Sequence, residues 1–131
     1  MRKLAVLILL TVAFAYECKS EVGYASWYGN DFHGRKTASG EIFHKTKYTA
    51  ASRAFPIGTY LLVKNLENGK EVIVRVNDVG PFGRNRIIDL SKSAAKKLGF
   101  LNKGIAKVEV RPLQCVAQTE EDPIESLIKT Y

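Results

Sequence analysis

The sequence contains few of the residues that build metal centres. Only two cysteines and two histidines occur among its 131 residues. His33 and His44 have no third imidazole or thiolate near them in the chain, whereas a structural zinc site needs four grouped ligands, mostly cysteine and histidine. We therefore expect no metal site and no cofactor.

Two further patterns are missing, and each disfavours a class of function. Neither Ser39 nor Ser52 lies in a nucleophile elbow, which argues against a Ser-His-Asp hydrolase. No run of five or more lysines and arginines occurs, which argues against a nucleic-acid partner although the formal net charge is +7. The positive charge instead suits an anionic polymer or surface, such as cell wall or acidic lipid head groups, or serves solubility alone.

The one long hydrophobic run lies at the N-terminus. Arg2 and Lys3 precede an apolar stretch that ends in Ala13-Phe14-Ala15. A basic start, a short apolar core and an A-x-A sequence predict a secretory signal peptide, here residues 1–15, rather than a buried strand or helix. The mature chain then has no transmembrane segment. We expect export to the periplasm or association with the cell wall.

The two cysteines stand at the two ends of the mature domain. In an exported protein, Cys18 and Cys115 are expected to form a disulfide. Lipidation of Cys18 is the alternative, and Glu17 disfavours it because a lipid-modified cysteine follows a small residue. We predict one domain over residues 16–115, expected to be monomeric, and a polar, flexible tail over residues 116–131.

Short β-branched and aromatic runs predict several strands. They lie near residues 22–28, 60–64, 71–76, 86–90 and 105–110. Asn68-Gly69 predicts a hairpin, and Ser91 and Gly99 are good caps for a helix over residues 92–98. Five or six strands with one short helix predict a mainly β fold, a small closed or nearly closed barrel. A doubly wound parallel sheet would need more helices.

Three carboxylates are candidates for chemistry. Glu41 lies in a long irregular region, Asp78 ends a strand before a Gly-Pro turn, and Asp89 lies in an apolar run. A carboxylate in apolar surroundings needs partners, so Asp89 is interpreted as structural, with Arg86 as a partner. Spacing alone leaves open whether Glu41 is a solvated turn residue or moves a proton.

A series of motifs runs through the mature sequence in a fixed order: ASWYG, FHGRKTASGE, YTAAS, IGTYLLVKNLENGKEVIVRVND, GPFGRNRIIDLSKSAAKKLG and GIAKVEVRPL. Over residues 23–113 they resemble the rare lipoprotein A family of septal-ring-associated lytic transglycosylases. The resemblance implies a six-stranded double-psi β-barrel. It also implies cleavage of the β-1,4 bond between N-acetylmuramic acid and N-acetylglucosamine in naked glycan strands, with 1,6-anhydromuramyl ends as the product.

The resemblance also implies roles for single residues. Glu41 of TASGE falls on the catalytic acid, and Asp78 of VND falls on a second important carboxylate. One carboxyl group suffices to form an anhydro sugar, because it can give a proton to the leaving oxygen and accept that of the C6 hydroxyl. Hydrolysis usually needs two opposed carboxylates. We expect Glu41 to act as acid and then base, with support from Asp78.

Two positions depart from the family's pattern. Ser52 follows paired alanines where the family has histidine, and Val79 stands where arginine is common. Serine donates a hydrogen bond but carries no charge at neutral pH. Three interpretations follow: turnover with Glu41 and Asp78 alone, a substitute role for His44, or glycan binding without turnover. A binding or wall-loosening module of the expansin type is therefore the alternative function, and hydrolysis to reducing ends is a second rival.

Aromatic residues in the matched motifs are candidates for stacking on sugar rings. A small barrel also needs an aromatic core, and we expect Trp27 to belong mainly to it. The predicted substrate-binding residues are Tyr28, His44, Ser52 and Phe82. Peptidoglycan glycan strands are the predicted partner.

Overall fold

The computed structural model describes residues 18–81, 83 and 85–119. Six strands and two short helices make up this part of the chain. The strands are β1 (Glu21–Tyr28), β2 (Thr49–Ser52), β3 (Tyr60–Asn65), β4 (Glu71–Asp78), β5 (Arg86–Ser91) and β6 (Ile105–Pro112). The helices are α1 (Lys92–Leu98) and α2 (Leu113–Thr119). The predicted signal peptide and Phe82 lie outside the described residues.

The six strands close into a barrel in the order β1-β5-β2-β4-β3-β6. Two neighbouring pairs, β1 with β5 and β2 with β4, are parallel, and the other four pairs are antiparallel. Closure leaves no unpaired edge strand in the barrel, which removes a template for aggregation. The mainly β barrel expected from the sequence is confirmed.

Alternating strands supply the interior of the barrel. In β4, Val72, Val74 and Val76 are buried while Ile73 faces outward, as expected when successive side chains point to opposite faces of a strand. The hairpin from β3 to β4 turns at Gly69, whose φ of 78° lies in the left-handed region that glycine adopts without strain. The Asn-Gly signal in the sequence therefore identifies this turn correctly.

The helix α1 covers one part of the barrel through Ala94, Ala95 and Leu98, which are fully buried. Its first turn is capped by the Ser91 hydroxyl, which accepts a hydrogen bond from the Ala94 N–H, and Gly99 ends the helix in a left-handed conformation. Both capping residues are those predicted. The second helix, α2, was not assigned from the sequence.

The strand β2 was not predicted from the sequence either. All four of its residues, Thr-Ala-Ala-Ser, are buried, so its sequence shows no alternation of polar and apolar side chains. It lies between β4 and β5 and completes the barrel. None of the helices in the described ranges is long and apolar enough to cross a membrane.

A disulfide joins Cys18, just before β1, to Cys115 in α2. The two residues are 97 positions apart in sequence, and their Cα atoms are 5.6 Å apart. The strands nearest to the bridge, β1 and β6, pair with each other from Glu21 opposite Val110 onward. The bridge therefore holds together the two strands at which the chain enters and leaves the barrel.

Replacing both cysteines, Cys18→Ser with Cys115→Ser, is expected to lower the free energy of unfolding by about 4 to 5 kcal/mol, because the unfolded chain regains the entropy of an open loop of this length. The melting temperature should fall by about 20 °C or more, measured by circular dichroism. The wild type under reducing conditions is the matched control and should melt with the variant. A variant that melts within a few degrees of the oxidised wild type would contradict a stabilising bridge.

Candidate active site

An open groove of about 480 Å³ lies on the barrel surface where β1, β5, β2 and the end of β4 meet. It combines aromatic walls with acidic and basic side chains, the usual composition of a site for a polar ligand. Its lining residues are Ser26, Trp27, Tyr28, Phe32, Ala51, Asp78, Val79, Gly80, Pro81, Gly83, Arg86 and Asp89.

The strand order places the polar residues of this groove side by side. Ala51 of β2 pairs with Asp78 of β4 on one side and with Asp89 of β5 on the other. Asp89 in turn pairs with Ser26 of β1. Four neighbouring strands therefore present Ser26, Asp89, Ala51 and Asp78 in one row, and the small side chain of Ala51 leaves space between the two carboxylates.

The carboxylate of Asp78 is held by backbone groups. Its Oδ1 accepts hydrogen bonds from the Ala38 N–H at 3.1 Å and the Val79 N–H at 2.9 Å. The Ser39 N–H donates to the Asn77 carbonyl at 3.2 Å. These contacts attach the loop of residues 37–41 to the end of β4, so Asp78 and the loop that carries Glu41 form one structural unit.

Glu41 is held by two side chains of β4. Arg75 Nη2 donates to both carboxylate oxygens, at 2.7 and 2.6 Å, and Asn77 Nδ2 donates to Oε1 at 2.9 Å. The Glu41 side chain is 35% exposed, so it reaches solvent at the surface beside the groove. Glu41 is not among the described residues that line the 480 Å³ groove.

A β-bulge lies at the end of β4. Ala50 and Ala51 of β2 pair with Val76 and Asp78, so Asn77 is an extra residue in β4. Arg75 and Asn77 both contact Glu41, and Asp78 lines the groove. The end of one strand therefore carries Asp78 and the two side chains that hold Glu41.

The loop that carries Glu41 is a tight hairpin fixed by its own hydrogen bonds. The Thr37 hydroxyl and N–H donate to the Glu41 carbonyl at 2.7 and 2.8 Å, and the Ser39 hydroxyl accepts from the Glu41 N–H at 3.2 Å. Gly40 has φ of 87°, a conformation that strains other residues. The Ser-Gly pair before Glu41 is therefore part of the geometry that orients this carboxylate.

The hydrogen bonds from Asn77 and Arg75 hold the pKa of the Glu41 carboxyl below its ordinary value, and the nearby charges of Arg75 and Lys47 act in the same direction. Glu41 is therefore ionised at neutral pH in the free protein. Because its folded-state pKa is lowered, the ionised contact stabilises the fold above the ordinary glutamate pKa and loses this effect as the pH falls through the lowered value.

Tyr28 supplies the aromatic wall of the groove. Its ring contacts Phe43 at 4.6 Å and Phe32 at 5.5 Å between centroids. The phenol oxygen is buried and makes no hydrogen bond within the part of the chain described. Burial, followed by the charges of Asp78 and Asp89, raises the pKa of this phenol. Tyr28 therefore keeps its proton, and its hydroxyl group can still donate one hydrogen bond.

A second polar cluster occupies the opposite side of the groove. Asp89 accepts a hydrogen bond from the Ser26 hydroxyl, and Arg86 Nη1 lies 2.8 Å from Ser26 Oγ and 3.3 Å from Asp89 Oδ1. The partner expected for Asp89, Arg86, is thus present. Sequence reasoning missed Ser26, because its partner lies on another strand.

Other predicted site residues lie elsewhere. Ser52 is buried, and its hydroxyl accepts hydrogen bonds from the N–H groups of Ala54 and Phe55, both at 3.1 Å, so it serves the turn after β2. His44 lies with its ring 5.7 Å from that of His33. Neither Ser52 nor His44 is among the lining residues of the groove, whereas the exposed Val79 is.

Trp27 is partly buried against the core, as expected, and its indole N–H donates to the Leu101 carbonyl at 3.3 Å. It also lines the groove. A larger cavity of about 710 Å³ lies at another place, between the turn before β3 and the start of α2, and none of its described lining residues is a carboxylate. The smaller groove is therefore the candidate active site. Within the described residues, no cluster of three or more histidine, cysteine or acidic side chains forms a metal site.

The residues that clamp Glu41 were not identified from the sequence. Arg75 and Asn77 lie in β4 among buried valines, and their partner is more than thirty residues earlier in the chain. The one local signal is that a charged residue interrupts the Val-Ile-Val-Arg-Val run. A charge in such a strand must face solvent or a partner, and here it faces Glu41.

Comparison with known proteins agrees with this geometry. A family model described as lytic transglycolase matches residues 20–110. The chain belongs to this family. The double-psi β-barrel fold inferred from the motifs is confirmed with it.

Several relatives are 54–57% identical to this chain over the aligned residues. A protein of Neisseria meningitidis serogroup A, named endolytic peptidoglycan transglycosylase RlpA, is 55% identical over 94 residues, or 72% of this chain and 39% of its own length. A probable RlpA of Aquifex aeolicus is 57% identical over 93 residues, or 71% of this chain and 41% of its own length. The RlpA of Pseudomonas aeruginosa strain UCBPP-PA14 is 54% identical over 100 residues, covering 74% and 29% of the two chains. The chain thus spans about two fifths or less of these relatives.

Two solved structures share the fold at low sequence identity. A Streptomyces papain inhibitor superposes with a TM-score of 0.59 at 23% identity, over 71% of this chain and 93% of its own. An expansin of Clavibacter michiganensis superposes with a TM-score of 0.56 at 24% identity, over 70% and 49% of the two chains. These likenesses establish the barrel architecture alone.

Replacing the clamp residue, Arg75→Met, is expected to raise the pKa of Glu41 toward the ordinary glutamate value of about 4.3, because the carboxylate loses a donor and a positive charge. The shift is measured by NMR titration of the Glu41 side-chain carboxyl carbon. Arg111→Met, which removes an arginine of β6 near Glu109, is the control and should leave this titration unchanged. An unchanged Glu41 titration in Arg75→Met would contradict the clamp.

Proposed function

We propose that this chain is an endolytic lytic transglycosylase domain that acts on naked peptidoglycan glycan strands. It cleaves the β-1,4 bond between N-acetylmuramic acid and N-acetylglucosamine and leaves a 1,6-anhydromuramyl end. Membership of the lytic transglycolase family supports this activity, as do relatives named endolytic peptidoglycan transglycosylase at 54–57% identity. The observation that carries the proposal is the joint placement of Glu41 and Asp78 at the end of β4, beside an open groove with an aromatic wall.

The proposed chemistry needs one carboxyl group that handles protons. Protonated Glu41 gives its proton to the glycosidic oxygen as the bond from that oxygen to C1 of the muramyl residue breaks, which releases the 4-hydroxyl of N-acetylglucosamine. The C6 oxygen of the muramyl residue then bonds to C1, and its proton passes to the Glu41 carboxylate. The proton count balances and no water is consumed, which distinguishes the reaction from hydrolysis.

The other groove residues support this step. The carboxyl group of Asp78, whose position is fixed by two backbone N–H groups, can stabilise positive charge that develops at C1. The Tyr28 phenol has an unused hydrogen-bond donor among the described residues, which a sugar hydroxyl or acetamido oxygen could accept once a ligand opens a path to this buried oxygen. The ring of Phe32, which is 47% exposed, offers an apolar face for stacking on a pyranose ring.

The clamp on Glu41 sets the pH at which the reaction runs. Arg75 and Asn77 favour the ionised form, so a small fraction of the free protein carries the proton that the first step needs. A glycan in the groove that excludes water from Glu41 raises this fraction, because desolvation disfavours the charged form. We therefore propose that the domain is most active under mildly acidic conditions.

A binding module without turnover is the second candidate. The contact of Arg75 with both Glu41 oxygens favours it, because a carboxylate locked in an ion pair is a poor acid. The engagement of Ser52 with the turn after β2 agrees with it too, since no imidazole is supplied at that position. In either case we propose an exported monomer that acts in the periplasm or at the cell wall.

Digestion of naked glycan strands separates the two candidates. The wild type should release 1,6-anhydromuramyl products, detected by mass spectrometry. Glu41→Gln should release them at least about 100-fold more slowly, because a general acid or base usually contributes a factor of this size. Glu71→Gln, at the start of the same strand, is the control and should retain the wild-type rate. Glycan retention on the wild-type protein without anhydro products would favour the binding module, and new reducing ends would indicate hydrolysis.

The pH dependence of kcat/KM should report the ionisation of Glu41 in the free protein. The protonated form starts the reaction, so kcat/KM should fall about tenfold per pH unit above the lowered pKa of Glu41. In Arg75→Met this limb should move to higher pH, since Glu41 there keeps its proton longer. A different profile would contradict this mechanism. If kcat/KM instead falls on the acidic side, and this acidic limb moves to higher pH in Arg75→Met, the ionised form of Glu41 is the reactive one.

A further inference from the structure

Five lysines form a positively charged surface next to one end of the groove. We call it the lysine face: Lys45, Lys47, Lys92, Lys96 and Lys97. The first two lie in the segment that leads into β2, and the other three lie in α1. Across residues 45–51 and 91–98 the sequence contains no acidic residue.

The two segments of the lysine face are joined by hydrogen bonds. The Ser93 N–H donates to the Lys45 carbonyl at 3.0 Å, and the Ser91 hydroxyl donates to the Lys47 carbonyl at 2.6 Å. The ammonium group of Lys97 lies 5.3 Å from the ring centre of Tyr48. The lysines of the loop and of the helix therefore belong to one continuous surface.

Helix stability does not account for the lysine at the start of α1. Lys92 is the first residue of the helix, where the partial positive charge of the helix dipole disfavours a cation. Lys96 lies four residues later on the same side, and like charges at this spacing repel. The first turn contains no acidic residue to offset either effect, whereas Lys96 and Lys97 lie in the last turn, where the helix dipole favours positive charge.

The groove leads directly to this surface. A smaller cavity of about 360 Å³ shares Trp27, Tyr28 and Phe32 with the groove and continues it along residues 29–31. Lys45 Nζ donates to Asn30 Oδ1, which lines this cavity, at 2.8 Å. Gly29 also lines it, and a Cβ atom at this position would lie 3.6 Å from the Cβ of Lys92. Three carboxylates adjoin the lysine face: Asp31 lines this cavity, Glu41 lies near Lys47, and Glu71 lines another cavity together with Lys97.

We propose that the lysine face binds carboxylates of the glycan strand that extends out of the groove, a step that rests on the proposed function. Each muramic acid carries a lactyl ether whose carboxylate is free when the stem peptide has been removed. A naked strand is therefore a polyanion, whereas an intact stem peptide converts this carboxylate to an amide. The lysine face thereby binds lactyl carboxylates, which only strands without stem peptides present, on the part of the strand that extends beyond the groove.

The test compares a triple variant with a matched control. Lys45→Gln/Lys92→Gln/Lys96→Gln removes three charges of the lysine face, and glutamine has nearly the helix propensity of lysine. Lys64→Gln/Lys70→Gln/Lys107→Gln removes three charges from β3, the hairpin after it and β6. Binding of naked glycan strands is measured by calorimetry at low and high salt, and cleavage is measured in parallel.

The face variant should bind naked strands on the order of tenfold more weakly at low salt, because it lacks three exposed positive charges. The difference should shrink at high salt, and the control should bind like the wild type. Naked strands whose lactyl carboxylates have been coupled to methylamine should bind the wild type and the face variant equally. Binding of strands with intact stem peptides is measured as well, because their lactyl carboxylates are amides and only the carboxylates of the peptide remain free.

Equal binding of natural and methylamine-coupled strands by the wild type would overturn the proposal. Stronger binding to strands with stem peptides, lost in the face variant, would assign the face to peptide carboxylates instead. Salt-sensitive binding to acidic phospholipid vesicles, lost in the face variant without any change in glycan binding, would assign it to a membrane surface. Failure of the proposed transglycosylase activity would be seen in the cleavage assay instead, because neither natural nor methylamine-coupled strands would then yield anhydro products.

Discussion

The insertion of β2 between β4 and β5 is the constraint on which the barrel and its site both depend. Its four buried residues pair in parallel with β4 and in antiparallel with β5, and without them the barrel would be open. The same pairing sets Ala51 between Asp78 and Asp89, which leaves the space of the groove. It also creates the bulge at Asn77. The fold and the arrangement of carboxylates are therefore consequences of one strand register.

The two carboxyl groups of the site, Glu41 and Asp78, are held by different kinds of hydrogen-bond donor. Backbone N–H groups hold Asp78 in place, whereas the side chains of Arg75 and Asn77 hold Glu41. A bound ligand can displace side chains more readily than backbone groups. The protonation state of Glu41 can therefore change when its surroundings change.

Sequence reasoning located the features that arise from neighbouring residues. The hairpin at Gly69, the caps at Ser91 and Gly99 and the alternation of Val72, Val74 and Val76 all follow from short patterns. Strand β2 was not predicted, because a strand buried on both faces shows no alternation of polar and apolar residues. The part of α2 after Cys115 was interpreted as tail. The motif resemblance brought Glu41 and Asp78 into view, but their partners come from distant parts of the chain, and only the barrel register brings those together.

The bridge between Cys18 and Cys115 has a mechanical consequence. Tension applied to the chain before Cys18 and after Cys115 passes through the covalent bond between the two sulfur atoms, and none of it crosses the hydrogen bonds of the six strands. A barrel that is pulled by its ends therefore keeps its groove intact. Such a property suits a protein that acts on a polymer network under load.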